Sequence, residues 1–280
     1  MLKKRLIAVL LLKNGHLVKT RNFDNFQIIG SPLQSIERFN SWAVDEILLL
    51  DLSTEKFYDH ERYDCGYENP DSIEGIISYL SRSCFVPLAV GGGIHNIEDI
   101  KQRLKFGADK VVINTQAFNA PGFIVEAAKM FGKQCIVVSI DVKFGSGGRP
   151  TVHVAHGNKD TGLDPVVWAK EVETFGAGEI LLNSVDRDGT MSGYDLDLIR
   201  SVTENVDIPV IVCGGAGEWS HFVDAINLGQ ASAVGAANIF YFREQSTRIA
   251  KKYMKASGIN VRFAEDFEKF INIKNNQATR

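Results

Sequence analysis

A chain of 280 residues, 45% of them hydrophobic, can bury a large core, and that length suits one large α/β domain or two ordinary ones. A formal net charge of −3 argues against nucleic acid as the main partner, and no apolar run approaches the ~20 residues of a membrane span. Cys65, Cys84, Cys135 and Cys213 are scattered without CxxC spacing, so free thiols are expected, with neither a disulfide frame nor a metal site, and Leu6–Leu12 lacks the length and cleavage site of a signal peptide.

These features predict a soluble cytoplasmic protein that needs no cofactor. In chain order, Leu6–Leu12 reads as the first strand, ended by the Asn14-Gly15 turn and continued by His16–Lys19. A helix over Ser35–Ala43 precedes the second strand, Glu46–Asp51. The polar, aromatic segment Ser53–Asp71 that follows is long for a strand-to-helix connection, which suggests a functional loop. Ile73–Ser81 is helical, Val86–Val90 is the third strand, and Ile94, Ile97, Ile100 and Leu104 recur at helical spacing. Strands at Lys110–Asn114 and Cys135–Asp141 flank a helix at Pro121–Met130. A glycine-rich loop, Gly145–Gly148, leads to a small strand pair around Thr151–Ala155. The helix Val166–Phe175, strand Glu179–Ser184 and helix Leu196–Thr203 come next. Strands at Pro209–Cys213 and Ala233–Ala236 complete the set, with a last helix near Gln245–Ala256 and a polar tail over 264–280.

Eight apolar strands separated by helical stretches predict an α/β fold of the (β/α)8 TIM-barrel type, one barrel over 1–263 with an enlarged loop at 53–71. The tract Val86–Thr115 has an echo at Ile208–Asn238, roughly 120 residues on, in which Gly92-Gly93 answers to Gly214-Gly215 and Gly107 to Gly229. Asp45–Leu49 likewise answers to Gly178–Leu182, so the barrel reads as two similar half-barrels. An open doubly wound sheet is the structural alternative, but two matched halves of four strands complete a ring.

Active sites of such barrels lie at the carboxyl ends of the strands. That face gathers Leu11, Asp51, Gly91–Gly93, Asn114-Thr115, Asp141, Asn183-Ser184, Asp186, Asp188, Gly214-Gly215 and Ala237-Asn238. Bare backbone N–H groups at two matched glycine strips suit a long ligand with phosphate at each end. Asp141 follows a nearly apolar strand with no helix directly after it, a position suited to general acid–base work. The run Ser184–Thr190 is dense in polar groups, and either substrate binding or a self-bonded Asx turn explains it.

The runs KRLIAVLLLKNGHLVK, VGGGIHNIEDIKQRLKFGADKVVINT, VSIDVK, GAGEILLNSVDRDGTMSGYD and CGGAGEWSHF resemble the cyclase subunit of imidazole glycerol phosphate synthase (HisF) over about residues 1–263. That resemblance implies a barrel of two phosphate-binding halves, working with a glutaminase subunit whose ammonia passes through it. The ammonia reacts in the family with a bis-phosphorylated ribulosyl carboxamide nucleotide, giving imidazole glycerol phosphate and an aminoimidazole carboxamide nucleotide. The family's two catalytic aspartates fall at the ends of strands one and five: the second is Asp141 and the first is replaced by Leu11, which cannot exchange a proton. The internal repeat agrees, aligning Leu11-Leu12-Lys13 with Asp141-Val142-Lys143.

Carried over by position, the resemblance assigns phosphate and substrate binding to Lys19, Gly92, Gly93, Asn114, Thr115, Asp188, Gly189, Gly214, Gly215, Ala237 and Asn238. Cys213 and Asn238 stand where the family has small hydroxyl residues, and Asn183 replaces a threonine. Arg5, Glu46, Lys110 and Glu179 match the charged ring at the opposite end, the family's ammonia gate, for which a structural salt-bridge cluster is the plainer explanation. Asp109 matches a residue facing the glutaminase.

Gate kept and acid lost together imply a diverged paralogue that docks a glutaminase, conducts ammonia and serves a sugar amidotransferase in surface-polysaccharide synthesis. Its acceptor would sit on a third protein docked near Phe57, Tyr58, Tyr63 and Tyr67 of the enlarged loop. A working cyclase of histidine biosynthesis and a non-catalytic activator of the glutaminase are the alternatives.

Overall fold

The protein is seen here in a computed structural model that describes residues 3–54, 58, 70–145, 147–241 and 246–262. From the amino end, β1 (Arg5–Lys13) turns into a hairpin of β2 (His16–Arg21) and β3 (Asp24–Gly30), then α1 (Pro32–Ser41) leads to β4 (Glu46–Asp51). α2 (Ile73–Ser83), β5 (Leu88–Gly91), α3 (Ile97–Lys105) and β6 (Lys110–Ile113) follow. A short α4 (Thr115–Asn119) and α5 (Gly122–Phe131) precede β7 (Ile136–Phe144), onto which β8 (Pro150–Val154) and β9 (Lys159–Asp160) fold back antiparallel. The chain ends through α6 (Pro165–Thr174), β10 (Glu179–Ser184), α7 (Leu196–Thr203), β11 (Val210–Cys213), α8 (Trp219–Asn227), β12 (Ala233–Ala236) and α9 (Ser246–Ala256).

The sheet order β10-β11-β12-β1-β4-β5-β6-β7 returns on itself because β7 also pairs with β10. Eight parallel strands therefore close into a barrel with helices between them, as the sequence predicts. Side-chain alternation splits each strand between two cores. On β1, Leu6, Ala8, Leu10 and Leu12 pack outward against the helices, while Ile7 and Val9 fill the lumen with Leu48, Ala89, Val112, Val137, Leu181 and Ile211. A strand buried on both faces reads as an almost continuous apolar run, which is why these were visible in the sequence.

Local chemistry sets the helix starts. Asn96 and Asp99 form a reciprocal capping box on α3, Asp164 accepts from Val166 and Val167 ahead of Pro165 on α6, and Asp195 accepts from Leu198 on α7. The duplicated glycines have one shared reason. Gly92 and Gly214 both have positive φ, 97° and 95°, and a Cβ there would lie 2.0 Å from the Asp51 carbonyl oxygen and 2.5 Å from that of Ser184. Asp51 and Ser184 end β4 and β10, the strands matched by the repeat.

Some elements differ from expectation. β5 starts at Leu88, beyond the expected Val86, because Pro87 has no N–H and offers the sheet only its carbonyl, to Ile47. The arm after Asn14-Gly15 runs on through β3 to Gly30, whose exposed residues carry no burial pattern. The short α4 has no counterpart in the expected elements. Of the enlarged loop, only Ser53, Thr54, Tyr58, Pro70 and Asp71 are described; Phe57, Tyr63 and Tyr67, like the 264–280 tail, lie outside the described residues.

Candidate functional site

Two polar assemblies cap the apolar lumen. At the floor, where the strands begin, Arg5 Nη1 lies 2.6 Å from Glu46 Oε2 and Arg5 Nη2 2.8 Å from Glu179 Oε2. Lys110 Nζ lies 3.0 Å from Glu46 Oε1 and 2.8 Å from Glu179 Oε1. Each cation thus touches both anions, and the four expected ring residues close a neutral cycle. Burial alone would raise the Glu179 carboxyl, but Arg5 and Lys110 outweigh it and hold it below the usual carboxylate range. Burial likewise opposes the charge on Arg5, yet Glu179 and Glu46 prevail and raise its pKa. Asp109, beside this ring, is exposed and accepts the Leu88 N–H at 2.8 Å.

At the carboxyl end a cavity of about 390 Å³ reaches from Val9 and Val112 in the lumen up to the loops. Asp141 is 6% exposed in its wall. Its Oδ1 accepts from Asn183 Nδ2 at 2.9 Å and Ser139 Oγ at 3.0 Å, and its Oδ2 from Asn114 Nδ2 at 3.1 Å. Burial pushes this carboxyl above its ordinary pKa, against the pull of Asn183 and Ser139. Leu11 lines the same cavity. One proton-exchanging side chain and one hydrocarbon therefore occupy the positions that the repeat makes equivalent.

The first glycine strip, Gly92, Gly93, Asn114 and Thr115, borders the cavity in full. The second reaches it through Asp188, Gly214 and Ala237; Lys19, Gly189, Gly215 and Asn238 are not among the residues lining it. Gly189 packs under the hairpin, where a Cβ would lie 2.3 Å from the Thr20 carbonyl oxygen. The Gly215 carbonyl accepts the Gly193 N–H at 2.8 Å, and Asn238 Nδ2 donates to the Thr20 carbonyl at 3.3 Å. Lys19 stands mid-hairpin opposite Gln27. Asp188 Oδ2 accepts from Thr20 Oγ1 at 2.7 Å and the Phe23 N–H at 3.1 Å, tying the hairpin tip across the mouth; burial raises its carboxyl.

Of the other wall residues, Asp51 was placed on this face from the sequence, and Ser139, Phe23, Phe26 and His156 were not singled out. Ser139 was detectable, since it shares a strand face with Asp141 two residues on. Phe23 and Phe26 enter the wall only because the hairpin folds over. Asp51 accepts from Ser53 Oγ at 2.6 Å and from Tyr58 O–H at 2.6 Å, which anchors the start of the enlarged loop; burial and this carboxylate both raise the Tyr58 phenol. His156, on the β8–β9 turn, also lines the cavity. Among the described residues no three His, Cys, Asp or Glu side chains gather as metal ligands would, and no helix is long and apolar enough to cross a membrane.

Barrel closure agrees with a comparison against known families. The model described as "Histidine biosynthesis protein" matches residues 5–246. The chain belongs to the histidine biosynthesis protein family.

Proposed function

We propose that this chain is a diverged paralogue of the cyclase subunit. In that role it docks a glutaminase at its floor and conducts ammonia through the lumen. The nitrogen serves amidination of a surface-polysaccharide sugar, on an acceptor held by a sugar amidotransferase at the carboxyl-end face. The observation that carries this reading is the pairing of an intact charged floor with a mouth that has Leu11 opposite Asp141's role. An apolar lumen favours neutral ammonia over ammonium, whose charge is costly away from water. The floor also offers apolar surface to a partner: Phe85, Met130 and Leu228 are 70%, 57% and 48% exposed, at the ends of α2, α5 and α8 that face the strand beginnings.

At the mouth, acid–base cyclisation needs one group to give a proton while another takes one. Asp141 can do either, and Leu11 neither. The first glycine strip still suits the phosphate of a phosphorylated small molecule. A working cyclase is the second reading, favoured by that strip and by Asp141; an activator without a conduit is the third.

The test replaces Arg5 or Lys110 by alanine in the complex with its glutaminase and compares glutamine hydrolysis with nitrogen reaching product. A conduit predicts that hydrolysis continues while delivery drops several-fold. If hydrolysis and delivery always fall together, the gate role is wrong.

A further inference from the structure

We propose that His156 is the proton acceptor for amination at the barrel mouth, a catalytic role that no resemblance assigns; it rests on the ammonia-delivery reading above. His156 lines the cavity, and its exposed imidazole makes no hydrogen bond among the described residues. It lies within electrostatic range of the Asp141 carboxylate. The backbone is bent to put it there. Ala155, His156 and Gly157 adopt successive left-handed conformations, φ 53°, 58° and 77°, which the first two residues adopt only at a conformational cost. Three contacts hold the turn: Ala155 N–H to Thr115 Oγ1 at 3.1 Å, Asn158 N–H to the Ala155 carbonyl at 3.2 Å, and His153 Nδ1 with the Gly157 carbonyl at 3.1 Å.

Apart from His95, the other titratable groups lining the cavity are engaged or unsuited. Asp51 is held by Ser53 and Tyr58, Asp188 by Thr20 and Phe23, and Asp141 by three side-chain donors. The Cys213 thiol is pushed up to about 12 by burial and then by Asp188, so it stays protonated. His95, exposed on the turn between β5 and α3, also lines the cavity and enters it two strands away from β7 in the barrel order. His153 and Asp160 flank the turn itself, 3.8 Å apart.

The step balances simply. As ammonia's nitrogen bonds to the electrophilic carbon of the acceptor, whose oxygen has first been made a phosphoryl or nucleotidyl ester by a nucleoside triphosphate on the amidotransferase, the carbon–oxygen bond breaks and that oxygen leaves with the electron pair as phosphate or nucleotide. The new nitrogen carries one proton too many. His156 accepts it and, being exposed, passes it to bulk water. An imidazole at the rim can reach an acceptor presented from outside, which a carboxylate at the depth of Asp141 cannot do as readily.

The test uses cells in which the chain is replaced by His156→Gln or His156→Gly, permeabilised and fed amide-15N glutamine. Label in the surface-polysaccharide amidine and glutamine hydrolysis are both followed from about pH 6 to 9. The expected result is about a hundredfold less label in His156→Gln with hydrolysis unchanged, and partial recovery of His156→Gly by added imidazole. Full labelling in His156→Gln overturns the proposal, as does a loss that imidazole does not recover and that hydrolysis shares. Deleting the whole chain distinguishes the deeper failure: if label then persists, the delivery reading falls and His156's role with it.

Discussion

Leu11 and Asp141 show how much two residues decide. Asp141 keeps three side-chain donors around a carboxylate that burial would rather see neutral, an arrangement whose satisfied hydrogen bonds offset part of the desolvation cost. Its place at a strand end, in the wall of the cavity, was legible in the sequence. Its support was not, because Asn183 meets it through the β7–β10 register, and pairing partners cannot be read from either strand alone. The glycines give a sharp residue-scale test. Gly92→Ala combines a left-handed φ with a Cβ against the Asp51 carbonyl, and is expected to cost about 3 kcal/mol in denaturant unfolding. Gly93→Ala, with φ 62° and nothing nearer than 3.8 Å to the added Cβ, is expected to cost about 1 kcal/mol. Equal losses at the two would contradict the close-approach explanation of Gly92.

Among elements, the barrel strands were readable and the β2–β3 hairpin only half so. β2 has buried residues and a turn signal before it, whereas β3 is exposed along most of its length and exists by pairing with β2. His156 was invisible for a related reason: a lone histidine in a polar turn carries no periodicity, and only the turn's conformation aims it. α9 is tied down by a buried ion pair as well as by its apolar side chains, among them Ala250 and Met254. Lys251 Nζ lies 2.7 Å from Asp45 Oδ1 and donates to the Ala43 carbonyl at 2.5 Å, while Asp45 Oδ2 accepts the Leu6 N–H at 2.9 Å. Burial lowers the lysine's pKa against the pull of Asp45. Lys251→Met leaves Asp45 buried without its cation and is expected to destabilise the fold by about 3 kcal/mol. A loss under about 1 kcal/mol would mean that the apolar side chains of α9 carry its docking and the ion pair adds little.

For the whole molecule, floor and mouth respond to acid in opposite directions. The Glu179 carboxyl lies below its unfolded value, so its stabilisation is present above the unfolded pKa and is lost as pH falls through the folded one. Asp141 and Asp188 are raised, so the stability they cost near neutral pH returns as pH falls through their folded values. Acid therefore removes stabilisation at Glu179, and Glu179→Gln is expected to flatten the fall of Tm on acidification below about pH 5. An unchanged acid slope would place the sensitive carboxylates elsewhere. The same division of ends underlies the functional reading, in which the ammonia-facing floor is kept and the proton-exchanging mouth is altered. The most direct measurement is ammonium-dependent cyclisation of the family's bis-phosphorylated nucleotide by the unmodified protein and by Leu11→Asp. The expected result is no turnover by the unmodified chain and measurable turnover once the aspartate is restored; substantial turnover by the unmodified chain would contradict the paralogue reading.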